Sequence, residues 1–334
     1  MYEEKKRFQN KIAESRFSLA VTAILCLLIW IVGGLAITSS GWDMDSIITQ
    51  PTSIWSNPVL ITLPCLILST YLMVELNNAN ILIRIFSRMV SCTFLIMMTM
   101  ATFQYTNINA AIVTLCTVIA YTTAFHSYQD SQSAGWVYYS FLSIGIASIF
   151  FIQIVFFLPL MWFLLASKLY ALSIRSFCAS LLGLVTPYWF LVGYDAATGQ
   201  MDAFISHFTA IAEFSPLFDY SMLSIQQFVT GGFIILCALI GTIHYLRTRQ
   251  HDRIRTQMFY EIFVINNAAT ILFMILQPQH FQLLLGIAIT NTAPLIAHFI
   301  ALTQTKWTNL LSELLLLLTL FITIINLWEL SLNF

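Results

Sequence analysis

The sequence predicts an all-α membrane protein: a polytopic bundle of about eleven transmembrane helices with its amino terminus in the cytoplasm. Three observations predict it. Charged residues are 9% of the 334-residue chain, against about 25% in soluble domains. Hydrophobic residues reach 59% and the mean hydropathy is +0.82, so the chain has too few charges to cover a soluble surface. All fourteen Lys and Arg fall into stretches that one topology places on the same side, and basic residues beside membrane helices stay cytoplasmic.

Each span follows from this pattern. Residues 1–16 carry Lys5, Lys6, Arg7, Lys11 and Arg16 and form a cytoplasmic tail. Phe17–Thr38 is the first span, longer than the roughly 20 residues a bilayer requires. No small-residue cleavage site follows it, so it is expected to be a retained anchor. Pro58–Val74, Met89–Phe103 and Ile108–Phe125 come next. The run Trp136–Ala166 is too long for one helix and short for two. Arg88 and Lys168 must share a side, so parity makes it a hairpin turning near Gln153. Ser176–Gly193, Ile225–Tyr245, Phe259–Leu276, Phe281–Leu302 and Trp307–Leu327 complete the set, leaving the carboxyl terminus outside. No linker divides the chain, so residues 1–334 form a single transmembrane domain. The largest loop, 194–224, lies on the periplasmic side. Within it Phe204, Phe208 and Ile211 recur at helical spacing opposite Asp202, Ser206, Thr209 and Glu213, which reads as an interfacial amphipathic helix, either closing the gap between two spans or covering a cavity.

The segments STYLMVELNNANILIRIFSRMVSC, FHSYQDSQSAGWVYYSFLSIGIASIFFIQIVFFLPLMW and SLLGLVTPYWF resemble a family of uncharacterised polytopic inner-membrane proteins of Bacteroidota. The likeness runs across most of Ile12–Phe190 and fades afterwards. It implies a bacterial inner membrane and an outer side that is periplasm, and it carries over no catalytic residue.

Function classes narrow by elimination. The basic residues sit at membrane ends, where topology accounts for them, so nucleic acid is not an expected partner; membrane lipid and envelope-assembly proteins are. Cys26, Cys65, Cys92, Cys116, Cys178 and Cys237 all fall within spans and read as small apolar packing residues. No histidine pair has the spacing for a zinc or haem site, so neither metal nor cofactor is expected.

Four groups of residues remain. Asp43 and Asp45 in GWDMDSI follow the first span, as an acidic pair does in polyprenyl-phosphate-sugar glycosyltransferases. Paired carboxylates can bind a divalent cation or act as a base; a solvated acidic loop fits them as well. A phosphate-handling enzyme would want Arg or Lys on that side, and the sequence has none there. Asn77, Asn80, Arg84 and Arg88 are spaced by three, four and four, one face of an interfacial cytoplasmic helix whose arginines set topology or hold an anionic headgroup or phosphate. Asn266 and Asn267 lie in the ninth span, and Asn291, Pro294 and His298 share a face of the tenth. Polar groups in lipid turn inward, as structural glue or as the lining of a cavity. Glu75, Glu261 and Glu313 sit near cytoplasmic span ends, with Arg84 and Lys306 as expected neighbours. The expected function is therefore a non-enzymatic transport or envelope-assembly component, with a glycosyltransferase-like enzyme acting on a polyprenyl-linked envelope intermediate as the alternative.

Overall fold

The computed structural model describes residues 8–39, 58–199, 201–214, 216–303 and 305–332, and every regular element among them is helical. Two helices open the chain, α1 (Phe8–Glu14) and α2 (Ser18–Ser39). Next are α3 (Val59–Asn80) and the short α4 (Met89–Met100), which breaks at Ala101 and continues as a 3-10 turn, Thr102–Gln104. Helix α5 (Ile108–His126) starts where the Asn107 side chain accepts from the Ala110 amide. Then come α6 (Ala134–Phe150), a 3-10 segment (Ile152–Phe157), α7 (Leu158–Ser167), α8 (Ile174–Thr198) and the short α9 (Met201–Thr209). The last four are α10 (Ile225–Thr248), α11 (Ile254–Leu276), α12 (Phe281–Leu302) and α13 (Lys306–Leu332). Reciprocal capping boxes, Ser173 with Ser176 and Ser224 with Gln227, fix the starts of α8 and α10.

Among the described residues, seven helices are long and apolar enough to cross a membrane: α3, α5, α8, α10, α11, α12 and α13. Four shorter apolar helical stretches accompany them, in Ser18–Gly34, Met89–Met100, Ala134–Phe150 and Ile152–Ser167. The fold is thus a multi-pass helical bundle. The predicted hairpin is present. The chain breaks at Phe151, and both limbs return to one place, where the Gln129 amide donates to the Leu169 carbonyl at 2.7 Å. At about 2.0 Å per residue for 3-10 and 1.5 Å for α-helix, the second limb rises about 27 Å, close to the thickness of a hydrocarbon core.

Two packing devices place the rest. Helices α6 and α8 touch through Gly145 and Gly183. A methyl at Gly145 would meet the Leu184 carbonyl at 2.7 Å, and one at Gly183 would collide with the Tyr138 carbonyl. Small residues at such crossings let backbones approach closely. Helix α12 is enclosed: it packs against α4, α5, α10 and α11, and 18 of its 22 residues are buried. Outward faces elsewhere are apolar, as with Leu317, Phe321 and Ile324 of α13.

The described basic residues gather at one end. Arg84 reaches Asp252, Arg255 reaches Asn80, Lys168 and Arg249 both reach Glu261, and the Asn10 amide donates to the Thr303 carbonyl. The opposite end joins Gln104 to Gln282, Gln153 to Ala210 and Phe218 to Leu276. Its described residues include Asp195, Asp202, Glu213 and Asp219 and no Lys or Arg.

One expected element is corrected. The stripe Asn77–Asn80–Arg84–Arg88 is not a continuous helix. Helix α3 stops at Asn80, and Ile81 takes a left-handed conformation (φ 50°, ψ 53°). The Asn77 side chain donates across the turn to the Ser87 carbonyl, while Leu82 and Ile83 are buried. Burial of these apolar residues outweighs the amphipathic spacing. The cysteines also divide: Cys26, Cys92, Cys116 and Cys237 are buried, but Cys178 is exposed on α8.

Candidate functional site in the enclosed helix

The polar residues of α11 and α12 turn inward. Asn266, Asn267, Asn291 and His298 are each 2% exposed or less, too little for any of them to face lipid. Adjacent positions on a helix point about 100° apart, so Asn266 and Asn267 meet different neighbours. Asn267 Nδ2 donates to Thr292 Oγ1 at 3.0 Å, whereas Asn266 Nδ2 faces the Met161 sulfur at 3.7 Å. Asn291 Oδ1 accepts from the Tyr121 hydroxyl at 2.7 Å. The set is incompletely paired: Asn266 Oδ1, Asn267 Oδ1 and Asn291 Nδ2 are buried with no hydrogen-bond partner in the protein. Each such group costs about 1–3 kcal/mol. Beside them lies a cavity of about 40 Å³ lined by Thr117, Tyr121, Met161, Asn266 and Thr270. A water occupies roughly 10–15 Å³ on this measure, so the space has the volume of about three waters, within a lining that is mostly apolar. Pro294, one turn beyond Thr290, has no amide to offer the Thr290 carbonyl, which adds an acceptor to the same helix.

His298 lies two turns from Asn291, toward the basic end. Its Nε2 is 3.1 Å from Asp252 Oδ2, and Asp252 Oδ1 is 2.8 Å from Arg84 Nε. The side chains of His298 and Asp252 are 0% exposed, that of Arg84 37%. Arg84 Nη1 also donates to the His251 carbonyl at 3.2 Å. The His244 ring lies 5.3 Å from the His298 ring, and the Tyr260 ring 4.9 Å from it. His298 Nδ1 and His244 Nε2 are both buried with no hydrogen-bond partner. A buried carboxylate, two imidazoles with open nitrogens and a half-exposed guanidinium thus form one contiguous cluster. That is an arrangement able to take up and hand over a proton.

Comparisons with protein-family models, curated proteins and solved structures found no match to this chain. The site is therefore read from its own geometry.

The expected candidates fall into three groups. Of the three asparagines, Asn266 lines the small cavity, Asn291 holds the hydroxyl of its lining residue Tyr121, and Asn267 pairs with Thr292 outside its lining. His298 joins a second cluster that also takes in Arg84, so two features read separately in the sequence meet in space. Arg84 faces a carboxylate of its own chain, whereas Arg88 is half-buried at the N-cap of α4 outside that network. Asp43 and Asp45 lie outside the described residues. The acids found other partners than expected: Glu261 pairs with Lys168 and Arg249, Glu313 accepts from the Asn309 amide, and Glu75 is exposed. Among the described residues, no three His, Cys, Asp or Glu side chains lie close enough to hold a metal.

Three residues escaped the sequence reading: Asp252, His244 and Tyr121. For Asp252 a signal exists, since it is the single acid in RTRQHDRIR and an acid among four arginines is an obvious pairing candidate. Tyr121 carries no such signal in its apolar run.

Proposed function

We propose that this multi-pass membrane protein is a non-enzymatic component of a bacterial inner membrane, of the transport or envelope-assembly class, and that it works in transport through a polar path beside α12. The observation that carries this is the incomplete pairing inside the bundle. Polar residues acting as structural glue satisfy one another. Here Asn266, Asn267, Asn291 and His298 each keep a buried atom unpaired next to a helix enclosed on its sides. Such atoms are available to a small polar or protonated substrate. The eleven apolar helical stretches would supply eleven crossings if the four shorter ones also span. A glycosyltransferase activity finds less support. It would rest on Asp43 and Asp45 at an end that supplies no Lys or Arg for a phosphate.

The test pairs complementation of a deletion strain with melting temperature in detergent. His298→Gln keeps an N–H for Asp252 but gives up the imidazole. Asn291→Ala removes the Tyr121 contact at a cost on the order of 1 kcal/mol. In a transport path, both variants lose function with melting temperatures near wild type. Function that falls only in proportion to folded protein would reduce the residues to packing.

A further inference from the structure

The Asp252 carboxylate, 2.8 Å from the Arg84 guanidinium, offers only acceptor oxygens. The proton in its 3.1 Å contact with His298 therefore belongs to Nε2. In a neutral imidazole the other nitrogen then carries a lone pair. That nitrogen, Nδ1, is buried and has no hydrogen-bond partner. The His244 ring stands 5.3 Å away, and its Nε2 is also buried and unpartnered. The bundle thus keeps a free base in its interior, beside a carboxylate that can balance an added positive charge.

Asp252 has two claimants. The His298 side chain is fully buried, so an imidazolium there has no water to turn to. Arg84 is half-exposed, and its approach to Asp252 Oδ1 lacks the alignment of a hydrogen bond. Once His298 is charged, one carboxylate faces two cations, and the exposed cation is the one water can take. Arg84 also donates to the His251 carbonyl. Its departure would untie the α10–α11 connection from the turn after α3. The other titratable groups around His298 are phenols, Tyr260 at 4.9 Å and Tyr245 at 6.1 Å between ring centres. Of the remaining elements against α12, α4 and α5 bring Cys92, Arg88 and Tyr121, the last at the level of Asn291. Helix α1 brings the exposed Lys11 and Glu14, and α13 brings Lys306 and Glu313.

We propose that His298 Nδ1 binds a proton, and that this proton couples movement along the path beside α12 to the proton gradient; the inference rests on the transport reading above. The step balances without a co-reactant: a proton from water adds to the Nδ1 lone pair, forming the imidazolium, and leaves to water again.

The experiment places the full chain in proteoliposomes on a solid-supported membrane, with the proton as the only probe. A step from about pH 8 to about pH 6 spans the range in which an ordinary histidine changes charge. The wild type should give a transient current above that of protein-free liposomes, because a proton entering the interior displaces charge. His298→Gln keeps an N–H for Asp252 but has no base, and should reduce the current to the protein-free level. Asp252→Asn strips the imidazolium of its counter-charge and should do the same. His251→Gln alters an exposed side chain of the same connection and should leave the current as in wild type. Melting temperatures establish that the variants are folded, and if one of the first two is not, the other decides. A wild type without the current, or a current undiminished in folded His298→Gln or Asp252→Asn, would overturn the proposal. The transport reading is judged apart from it: no current in the wild type, with complementation lost in a stable Asn291→Ala, would keep the path and remove its proton.

Discussion

Asp252 is tolerated in the interior because two groups hold its carboxylate, Arg84 at 2.8 Å and His298 at 3.1 Å. A buried charge that loses its partner is far more costly than a buried pair removed whole. Arg84→Ala should therefore destabilise the protein by about 2–4 kcal/mol, the lower part of that range reflecting the half-exposed guanidinium. Asp252→Asn keeps the shape, removes the buried charge and should cost less. Melting temperatures in detergent give the order; Asp252→Asn as the worse of the two would overturn this ranking. At this scale the inward turn of the asparagines and His298 was legible, because an amide or imidazole facing hydrocarbon is too costly to leave there. Which atoms they meet was not. The partner of His298 lies 46 residues away in a loop whose arginines already had a topological explanation.

Helix positions followed from apolar runs and charge parity, and even the hairpin at Phe151 was foreseeable, since Arg88 and Lys168 had to lie on one side. The failure came between α3 and α4, where three-and-four spacing suggested a helix and the chain instead turns at Ile81. Spacing reports which side chains would share a face if a helix formed; it does not register the burial of Leu82 and Ile83, which depends on neighbours distant in sequence. A left-handed β-branched residue is strained by about 1–2 kcal/mol. Ile81 is 50% exposed and gives up little apolar contact if replaced. Ile81→Gly should accordingly raise stability by about 1 kcal/mol, read as a higher melting temperature. A drop would show that the Ile81 side chain packs better than its exposure suggests.

For the molecule as a whole, the separation of charge into two ends was legible throughout, because it is written in residue types alone. The contacts gather the described cations at one end and leave carboxylates at the other. Alkaline phosphatase fused after Phe218 is expected to be active and a fusion after Arg253 inactive; the reverse at either site would invert the orientation. The 40 Å³ cavity was not legible in detail, since volumes arise from how helices cross and not from what they contain.

The enclosed position of α12 has a consequence in time. It follows α4, α5, α10 and α11 in the sequence, yet all four rest against it. A ribosome delivers those four helices to the membrane first. While they wait, the faces of α4 and α5 destined for α12 have only lipid or each other to touch, and Asp252 has no His298. The bundle must remain open along one side until α12 itself has been made, and then admit its own centre. Synthesis halted before Phe281 should leave a set of inserted helices without a core, a form for membrane proteases to remove and one that a separately made carboxyl-terminal helix pair could complete.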